Sequence, residues 1–446
     1  MVLPTPQALR RRSARPPAGN GPAASAALDT GVGLPRVAPG SVAFTLAFAA
    51  VVVNLLDVWV YPSATSDAVG LKAGGFRITD LLTLTALGIG AVAVLAGRVS
   101  LPRPVVLPLV LITAAWAAGT ITGLTNGNDG RLIFGQWHLV LYSWALIVAW
   151  AGAPAPLLRR CEAVIPWLTL LVALGLLVTG GGGDPYTIVA AGCAVALVRS
   201  RLLVALPLLI VTVVLVGLGG QRAALLFSLP PLALAVLLRL RTSRPTGDAL
   251  GIACAILGAL ALVGLVKAAT IAAFVSEVVD STFRRTGKVE SSLSRLDQAS
   301  IAVQNIRESP WLGGGLGFHY DLYDRPTHRS VTTTLTHDVY LDLPLRLGLP
   351  ATALLVLVLG GCAVHVLLRL PRLLPLQVAV LGVLLGLAGK GGVESILDKP
   401  RLMLLVAWLV VTTVFAHRAQ SIDVERAPRA RHPLMTPIAP LTSVSR

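Results

Sequence analysis

Three basic side chains stand out because together they could transfer a group from a phosphate-activated donor. Arg222 and Arg295 each carry a planar guanidinium, which donates paired hydrogen bonds to phosphate oxygens and keeps its charge. His337 carries an imidazole that can accept a proton near neutral pH, as a general base must when a hydroxyl attacks. The two arginines would stabilise the negative charge that develops on a departing phosphate group.

Each of these residues also has a structural explanation. Arg222 could extend from the end of a membrane span to lipid headgroups, and Arg295 could solvate one face of its helix. His337 could begin a helix with its ring bonded to backbone. Arg284 or Arg285 could replace Arg295 as the phosphate ligand. The structural elements that surround these residues are therefore needed to distinguish the functional explanation from the structural one.

The composition indicates that those elements lie in a membrane. Of the 446 residues, 55% are hydrophobic and 13% are charged, and the mean hydropathy is +0.77. A formal charge of +16 would suggest a nucleic-acid partner in a soluble chain. A chain this apolar cannot keep its surface in water, so we exclude a soluble enzyme and a nucleic-acid-binding protein.

The sequence predicts about twelve transmembrane helices, since a span needs roughly 20 mostly apolar residues. We therefore expect an all-α polytopic membrane protein. The weakest of the twelve is Tyr186–Val198, which is short and contains Gly192. The other eleven are Val42–Tyr61, Asp80–Ala96, Val105–Thr120, Trp137–Trp150, Val164–Val178, Leu202–Leu218, Ala223–Leu238, Ala249–Val275, Ala351–Leu368, Leu374–Ala388 and Leu402–Ala416.

The distribution of arginine predicts the orientation of these spans. Arginines cluster in the N-terminal tail, in alternate short loops and in the C-terminal tail, which places both termini in the cytoplasm. Residues 1–40 and 417–446 are predicted to be disordered cytoplasmic tails that flank a transmembrane domain of residues 41–416. Asp57 and Lys267 lie near outer span ends, where they either serve function or extend to the interface.

One long polar segment, residues 276–337, interrupts the pattern of spans and lies on the predicted outer side. Within it, Leu296, Ala299, Val303 and Ile306 recur at helical spacing, so we predict an amphipathic helix over Ser294–Glu308 at the outer surface. Proline ends the helix at Ser309-Pro310, and Trp311-Leu312 could anchor the turn at the membrane interface.

Two short motifs follow the predicted helix. The run from Gly313 to Gly317 contains glycines at 313, 315 and 317 that allow positive φ or a close approach by backbone, and a structural turn is its simplest explanation. The segment His337-Asp338-Val339-Tyr340-Leu341 then leads through Gly348-Leu349-Pro350 into the next span. Asp338 or Tyr340 could orient the histidine ring or bind the acceptor.

These motifs, in this order, resemble those of the O-antigen ligase and O-antigen polymerase family of bacterial cell envelopes. That family has a long periplasmic loop with an arginine, an aliphatic helix, an "sPl.G.G.g" turn and a "HN.yl...l.elGl" motif. Two earlier segments are also similar, Ile78–Leu82 to an early "s/tDlll" element and Gly220–Ala224 to an "SRga" element. The motif core spans residues 219–349. This context favours His337 over the other loop histidines, His319 and His328.

The chain departs from the family pattern at three positions. Asp338 stands where the family usually has Asn, Gln221 where it often has Ser, and Arg346 where it usually has Glu. The first substitution could change how the histidine is oriented. The third lies away from the expected chemistry and could alter only the packing of the loop.

The resemblance implies a membrane glycosyltransferase of the GT-C type that acts at the outer face of the cytoplasmic membrane. Its donor would be a glycan on undecaprenyl pyrophosphate, and its acceptor a sugar hydroxyl on a lipid-linked or growing glycan. The sequence leaves open whether the enzyme is a ligase or a polymerase. We expect no metal or cofactor, because the outer loops hold no paired-aspartate motif and the four cysteines show no metal-ligand spacing.

A polytopic transporter that exports a lipid-linked or polysaccharide substrate is the alternative function, since transporters can also have about twelve spans. Transporters usually contain internal repeats with interrupted helices at the bilayer midplane. No half-to-half repeat is evident here, and the polar residues concentrate instead in one external segment late in the chain. This asymmetry favours an enzyme.

Overall fold

A computed structural model describes the chain at residues 39–60, 72–73, 76–161, 287–324, 328–333, 338–368, 375–392 and 399–426, with a few isolated positions besides. Five predicted spans, those between Val164 and Val275, lie outside or almost wholly outside these residues. So do Arg222, Arg284, Arg285, His337 and Lys267.

The described elements are nine helices and two small hairpins, numbered here along the described residues only. They are α1 (Pro39–Val60), β1 (Lys72–Ala73), β2 (Phe76–Arg77), α2 (Ile78–Leu95), α3 (Arg103–Thr125), α4 (Gly130–Gln136), α5 (His138–Gly152), α6 (Gly287–Glu308), β3 (Tyr320–Asp324), β4 (Arg329–Thr333), α7 (Val339–Leu368), α8 (Pro375–Gly391) and α9 (Pro400–Arg426). Both hairpins are antiparallel.

The protein is an all-α membrane protein. Four helical segments of the described chain are long and apolar enough to cross a bilayer: Pro39–Asp57, Ile78–Leu95, Arg103–Thr125 and Val339–Cys362. A fifth crossing is available if α4 and α5, which meet at a 43° bend, form one broken span. The apolar parts of α8 and α9, Leu376–Gly391 and Pro400–Phe415, are shorter. Each span predicted within the described residues therefore corresponds to a helix.

Helices α1, α2, α5 and α9 pack into one bundle. Small residues allow the close approach: a side chain at Gly40 would collide with the backbone of Gly152, and one at Gly90 would collide with Val148. Trp150 and Trp408 are fully buried in the apolar core that results. The bundle is therefore held together by one closely packed apolar core.

An ion pair joins two of these helices. Asp57 on α1 lies 2.8 Å from the guanidinium of Arg401 on α9, and Asn54 donates to the backbone carbonyl of Arg401 at 2.9 Å. The Asp57 side chain is buried, so it does not extend to headgroups as one of the two sequence interpretations supposed. A carboxylate at this depth requires such a partner.

The long polar segment contains a helix and a hairpin. Helix α6 begins at Gly287, earlier than predicted, and ends at Glu308 as predicted. Its protein-facing residues are Ser294, Gln298 and Ala302, while Leu296 is 65% exposed. Of the predicted apolar row, Ile306 packs against the small core around Ala302, whereas Leu296 does not. The most buried side of α6 is therefore displaced from the predicted row, because small and polar residues allow α6 to lie close against α7. The β3–β4 hairpin that follows was not predicted.

Helix α7 is broken at Gly348, where φ is 77° and ψ is 166°. Its first part, Val339–Leu347, lies in the segment that precedes the span predicted from the sequence. Its second part corresponds to the predicted span Ala351–Leu368. The break divides a helix that would otherwise be longer than a bilayer is thick.

Candidate functional site

The predicted site residues fall into two groups. Arg222 and His337 lie outside the described residues, so their geometry is not given. The structure places the others, Arg295, Asp338, Tyr340 and the three glycines at 313, 315 and 317, around the junction of α6 with α7. The following contacts describe that junction.

Arg295 lies on the exposed side of α6, one residue after the buried Ser294. No hydrogen bond or ion pair to Arg295 occurs among the described residues. Its guanidinium is therefore available to an anion that approaches from solvent. Helix α6 itself is held in place by Ala302, which packs with Tyr320, Leu322 and Leu345 in a small core.

Asp338 caps the N-terminus of α7. Its carboxylate accepts a hydrogen bond from the backbone N–H of Tyr340 at 2.8 Å, and its carbonyl accepts from the N–H of Asp342 at 2.9 Å. Asparagine caps helices as well as aspartate does. The Asp-for-Asn difference from the family pattern is therefore compatible with an unchanged helix start next to His337.

Tyr340 connects α7 to the end of α8. Its hydroxyl donates to the carbonyl of Ala388 at 2.7 Å, although 55% of the residue is exposed. The hydroxyl thus has a partner within the protein, and the binding of an acceptor by Tyr340 stays a prediction. The exposed ring face beside it remains accessible.

The glycine run forms a turn that is wedged between α3 and α7. Gly314 and Gly315 donate to the carbonyls of Leu345 and Arg346 at 2.8 and 3.1 Å, and the N–H of Leu316 donates to Gly119 on α3 at 2.8 Å. Leu316 itself is buried against Trp116 and Leu347. The close approach expected of this run is therefore an approach to the protein's own backbone.

Positive φ and tight spacing explain why glycines occupy the turn. Gly313, Gly315 and Gly317 have φ values of 65°, 82° and 74°. A side chain at Gly315 would overlap the backbone of Gly123 on α3, and one at Gly123 would overlap the carbonyl of Leu316. An L-residue with a side chain would meet both strain and collision here.

Two polar side chains, one from the α3–α4 connection and one from the end of α4, bind this turn, and sequence reasoning missed them. Asn128 donates to the carbonyls of Gly314 and Leu316 at 3.0 and 2.9 Å. The side chain of Gln136 accepts from the N–H of Gly317 at 2.9 Å. We refer to Asn128 and Gln136 as the turn clamp. A signal was present, since amide side chains between two predicted spans are candidates for backbone hydrogen bonds.

A buried charge cluster supports the part of α7 that contacts the turn. Arg346 and Asp342 form an ion pair at 2.9 Å, and both are buried. Tyr320 of β3 is also buried nearby. Its pKa is raised from 10.0 to about 12, mainly by burial and further by the negative charge of Asp342, while Arg346 opposes the change. Arg346 thus has a partner of opposite charge one helical turn away.

A second polar cluster joins α2 to α5. The hydroxyl of Tyr142 donates to the carboxylate of Asp80, and the ring of His138 lies 3.5 Å from the same carboxylate. Arg77 occupies the N-cap position of α2, and Asp80 lies in the first turn of that helix. Asp80 therefore ties α2 to the start of α5, next to Gln136 of the turn clamp.

No group of three His, Cys, Asp or Glu side chains suited to a metal ion occurs within the part of the chain that the structure describes. In the same part, Cys161 and Cys362 are free thiols. The groups available for chemistry at the junction of α6 and α7 are therefore the exposed guanidinium of Arg295, the N-terminus of α7 and the hydrogen-bonded glycine turn.

Comparison with known proteins identifies the region that contains this junction. Residues 206–356 match the family model described as O-antigen ligase. The match includes Arg222, Arg295, the glycine turn and His337, and it confirms the resemblance drawn from the motifs. No curated protein matches the chain significantly.

Proposed function

Starting from the match of residues 206–356 to the O-antigen ligase family model, we propose that this protein transfers a glycan from undecaprenyl pyrophosphate to a sugar hydroxyl at the outer face of the cytoplasmic membrane. The match supports a membrane glycosyltransferase of the O-antigen ligase or polymerase type. The identity of the donor lipid, the residues that act and the sidedness are part of the proposal.

The proposed reaction is a single displacement at the anomeric carbon. The acceptor oxygen attacks that carbon, the bond from carbon to the pyrophosphate oxygen breaks, and the lipid pyrophosphate leaves with the bonding electrons. His337 accepts the proton of the acceptor hydroxyl. Arg222 and Arg295 bind the pyrophosphate oxygens and offset the charge that develops there. No metal ion is needed if two arginines supply this stabilisation.

One observation supports the proposal most strongly. The matched region contains every proposed residue, and in its described part the helix that carries Arg295 contacts the helix that follows His337. Helix α6, which carries Arg295, packs against α7. Helix α7 begins directly after His337 and Asp338. The backbone turn between them is locked by hydrogen bonds on both sides. A fixed scaffold of this kind holds reacting groups in register.

A transfer assay with matched variants tests these assignments. Purified protein in vesicles would receive an undecaprenyl-pyrophosphate glycan and an acceptor glycan, and both the product and the released lipid pyrophosphate would be measured. His337→Ala should lower the rate by roughly 10²-fold or more, as expected for loss of a general base. His319→Ala, an exposed histidine of the same loop, should leave it unchanged. Equal rates for the two variants would remove His337 from the mechanism.

A second pair of variants tests the arginine. Arg295→Ala should reduce transfer, whereas Arg307→Ala, which removes an exposed charge from the last turn of the same helix, should not. Chelation with EDTA should leave the wild-type rate intact, and its loss would contradict a metal-free mechanism. Vesicles that move the donor across the bilayer without forming product would support the transporter alternative instead.

A further inference from the structure

Helix α7 changes its surroundings abruptly at its break. Residues 342 and 344–348 are buried in the protein. From Leu349 onward the helix exposes large apolar side chains, among them Leu354, Val356, Leu357 and Leu359. An apolar face of this extent on a span-forming helix faces lipid. The break at Gly348 therefore marks where the protein-wrapped part ends and the lipid-exposed part begins.

The length of the lipid-exposed part agrees with this assignment. Residues 349–368 rise about 30 Å at ~1.5 Å per residue, which is about the thickness of the hydrocarbon core. Arginines follow in the sequence at positions 369 and 372, where the opposite headgroup layer would begin. The Gly348 break thus lies at one membrane interface, and the Asp342–Arg346 ion pair lies beyond it.

The turn that ends α6 is attached to α7 at this same level. The N–H of Leu349 donates to the carbonyl of Pro310 at 2.8 Å. A side chain at Gly348 would collide with the carbonyl of Trp311, so the two backbones are in direct contact. Trp311 and Leu312 project from this attachment and are 76% and 61% exposed. They continue the apolar surface of α7 at its upper edge.

We propose that Trp311 and Leu312 form an interfacial anchor that inserts among the lipids at the level of the Gly348 break. Tryptophan is favoured at this depth because its ring is apolar and its N–H remains hydrogen-bonded. Arg307 and Glu308, just before the turn, are exposed charged residues, as residues next to the headgroups would be. The anchor fixes the height of the glycine turn and of α6 above the bilayer. It does not depend on the proposed reaction.

Fluorescence quenching in reconstituted vesicles tests the anchor. The chain has 8 tryptophans, so the emission of Trp311 is obtained as the difference between wild type and Trp311→Phe. Phosphatidylcholine vesicles would contain lipids brominated either near the headgroup or near the chain ends, and iodide would serve as the aqueous quencher. We expect a blue-shifted difference spectrum that loses most intensity with the shallow bromines.

Two outcomes would overturn the proposal. A difference spectrum that iodide quenches and neither brominated lipid affects would place Trp311 in water. Stronger quenching by the deep bromines would place it in the hydrocarbon core and not at the interface.

A spin label provides a second measurement if Trp311→Phe fails to fold. Leu312→Cys would be labelled in a variant without the native cysteines. A variant that retains only Cys362, which is exposed lower on α7, provides the deep reference. The label at 312 should be less accessible to oxygen than the label at 362, and also shielded from a water-soluble nickel complex. Free access of the nickel complex at 312 would refute the anchor.

Discussion

Replacing Asn128 with leucine should release the glycine turn without unfolding the helical bundle. Asn128→Leu keeps the branched shape of the side chain, with a larger volume, but removes the amide group that donates the hydrogen bonds to Gly314 and Leu316. Each such bond contributes about 1 kcal/mol net, so the turn should lose about 2 kcal/mol of local stability. A loss of that size corresponds to a roughly thirtyfold increase in the fraction of open turn.

Hydrogen exchange measured by mass spectrometry on the reconstituted protein provides the assay. The amides of Gly314, Gly315 and Leu316 are hydrogen-bonded to α7 and α3, so their exchange reports opening of the turn. When closing is faster than exchange, the exchange rate follows the opening equilibrium. The peptide that contains residues 313–318 should therefore exchange about thirtyfold faster in the variant.

Asn126→Leu is the matched control for this prediction. Asn126 is exposed and makes a longer bond of 3.2 Å to the carbonyl of Gly314, which Asn128 also binds. Its loss should cost about 0.5 kcal/mol and change exchange only about twofold. Equal effects of the two substitutions would refute the clamp. Faster exchange throughout α1 and α5 would show instead that Asn128→Leu destabilises the whole fold.

Two further predictions concern the buried cluster of Tyr320, Asp342 and Arg346. The pKa of Tyr320 is raised to about 12. The contribution of the Tyr320 side chain to the free energy of unfolding is therefore complete below pH 10 and declines as the pH rises towards 12. Tyr320→Phe should abolish this alkaline loss in a pH series of hydrogen exchange over the β3–β4 hairpin, whereas the exposed control Tyr323→Phe should preserve it. Arg346→Met should lower the free energy of unfolding by about 3–5 kcal/mol by leaving Asp342 without its ion-pair partner. The double variant Asp342→Leu with Arg346→Met should recover most of that loss in thermal melts, and a double variant as unstable as the single one would contradict the argument.

Within the described residues, hydrophobic length was sufficient to predict the long helices. The predicted spans over Val105–Thr120 and Ala351–Leu368 correspond to α3 and to the lower part of α7. Prediction was less successful where tertiary contacts decide. The short helix α4 and its 43° bend against α5 were not predicted. Helix α4 begins where Asp129 accepts a hydrogen bond from the N–H of Arg131, and it contacts its neighbours α3 and α5.

The sequence was sufficient to predict the motifs of the candidate site but not the contacts that their residues make. Glycines at 313, 315 and 317 indicated a special turn, and the structure gives all three a positive φ. Their partners could not be inferred, because Asn128 and Gln136 lie more than one hundred residues away in the chain and belong to no motif. The protein-facing side of α6 was missed for a related reason: hydrophobicity alone favoured Leu296, while close packing selected Ser294 and Ala302.

The arginine at position 346, where the family usually has Glu, is explained by its pairing with a charged residue one helical turn away. A buried arginine alone would cost several kcal/mol, and so would a buried aspartate alone. Arg346 and Asp342 are spaced four residues apart with the acid nearer the helix N-terminus, the arrangement that helix electrostatics favours. Because Arg346 also supplies the backbone carbonyl that accepts from Gly315, the ion pair and the glycine turn stabilise the same segment. The segment can therefore carry a positive charge at this position because its partner, Asp342, is negative, and the turn that follows α6 keeps its position.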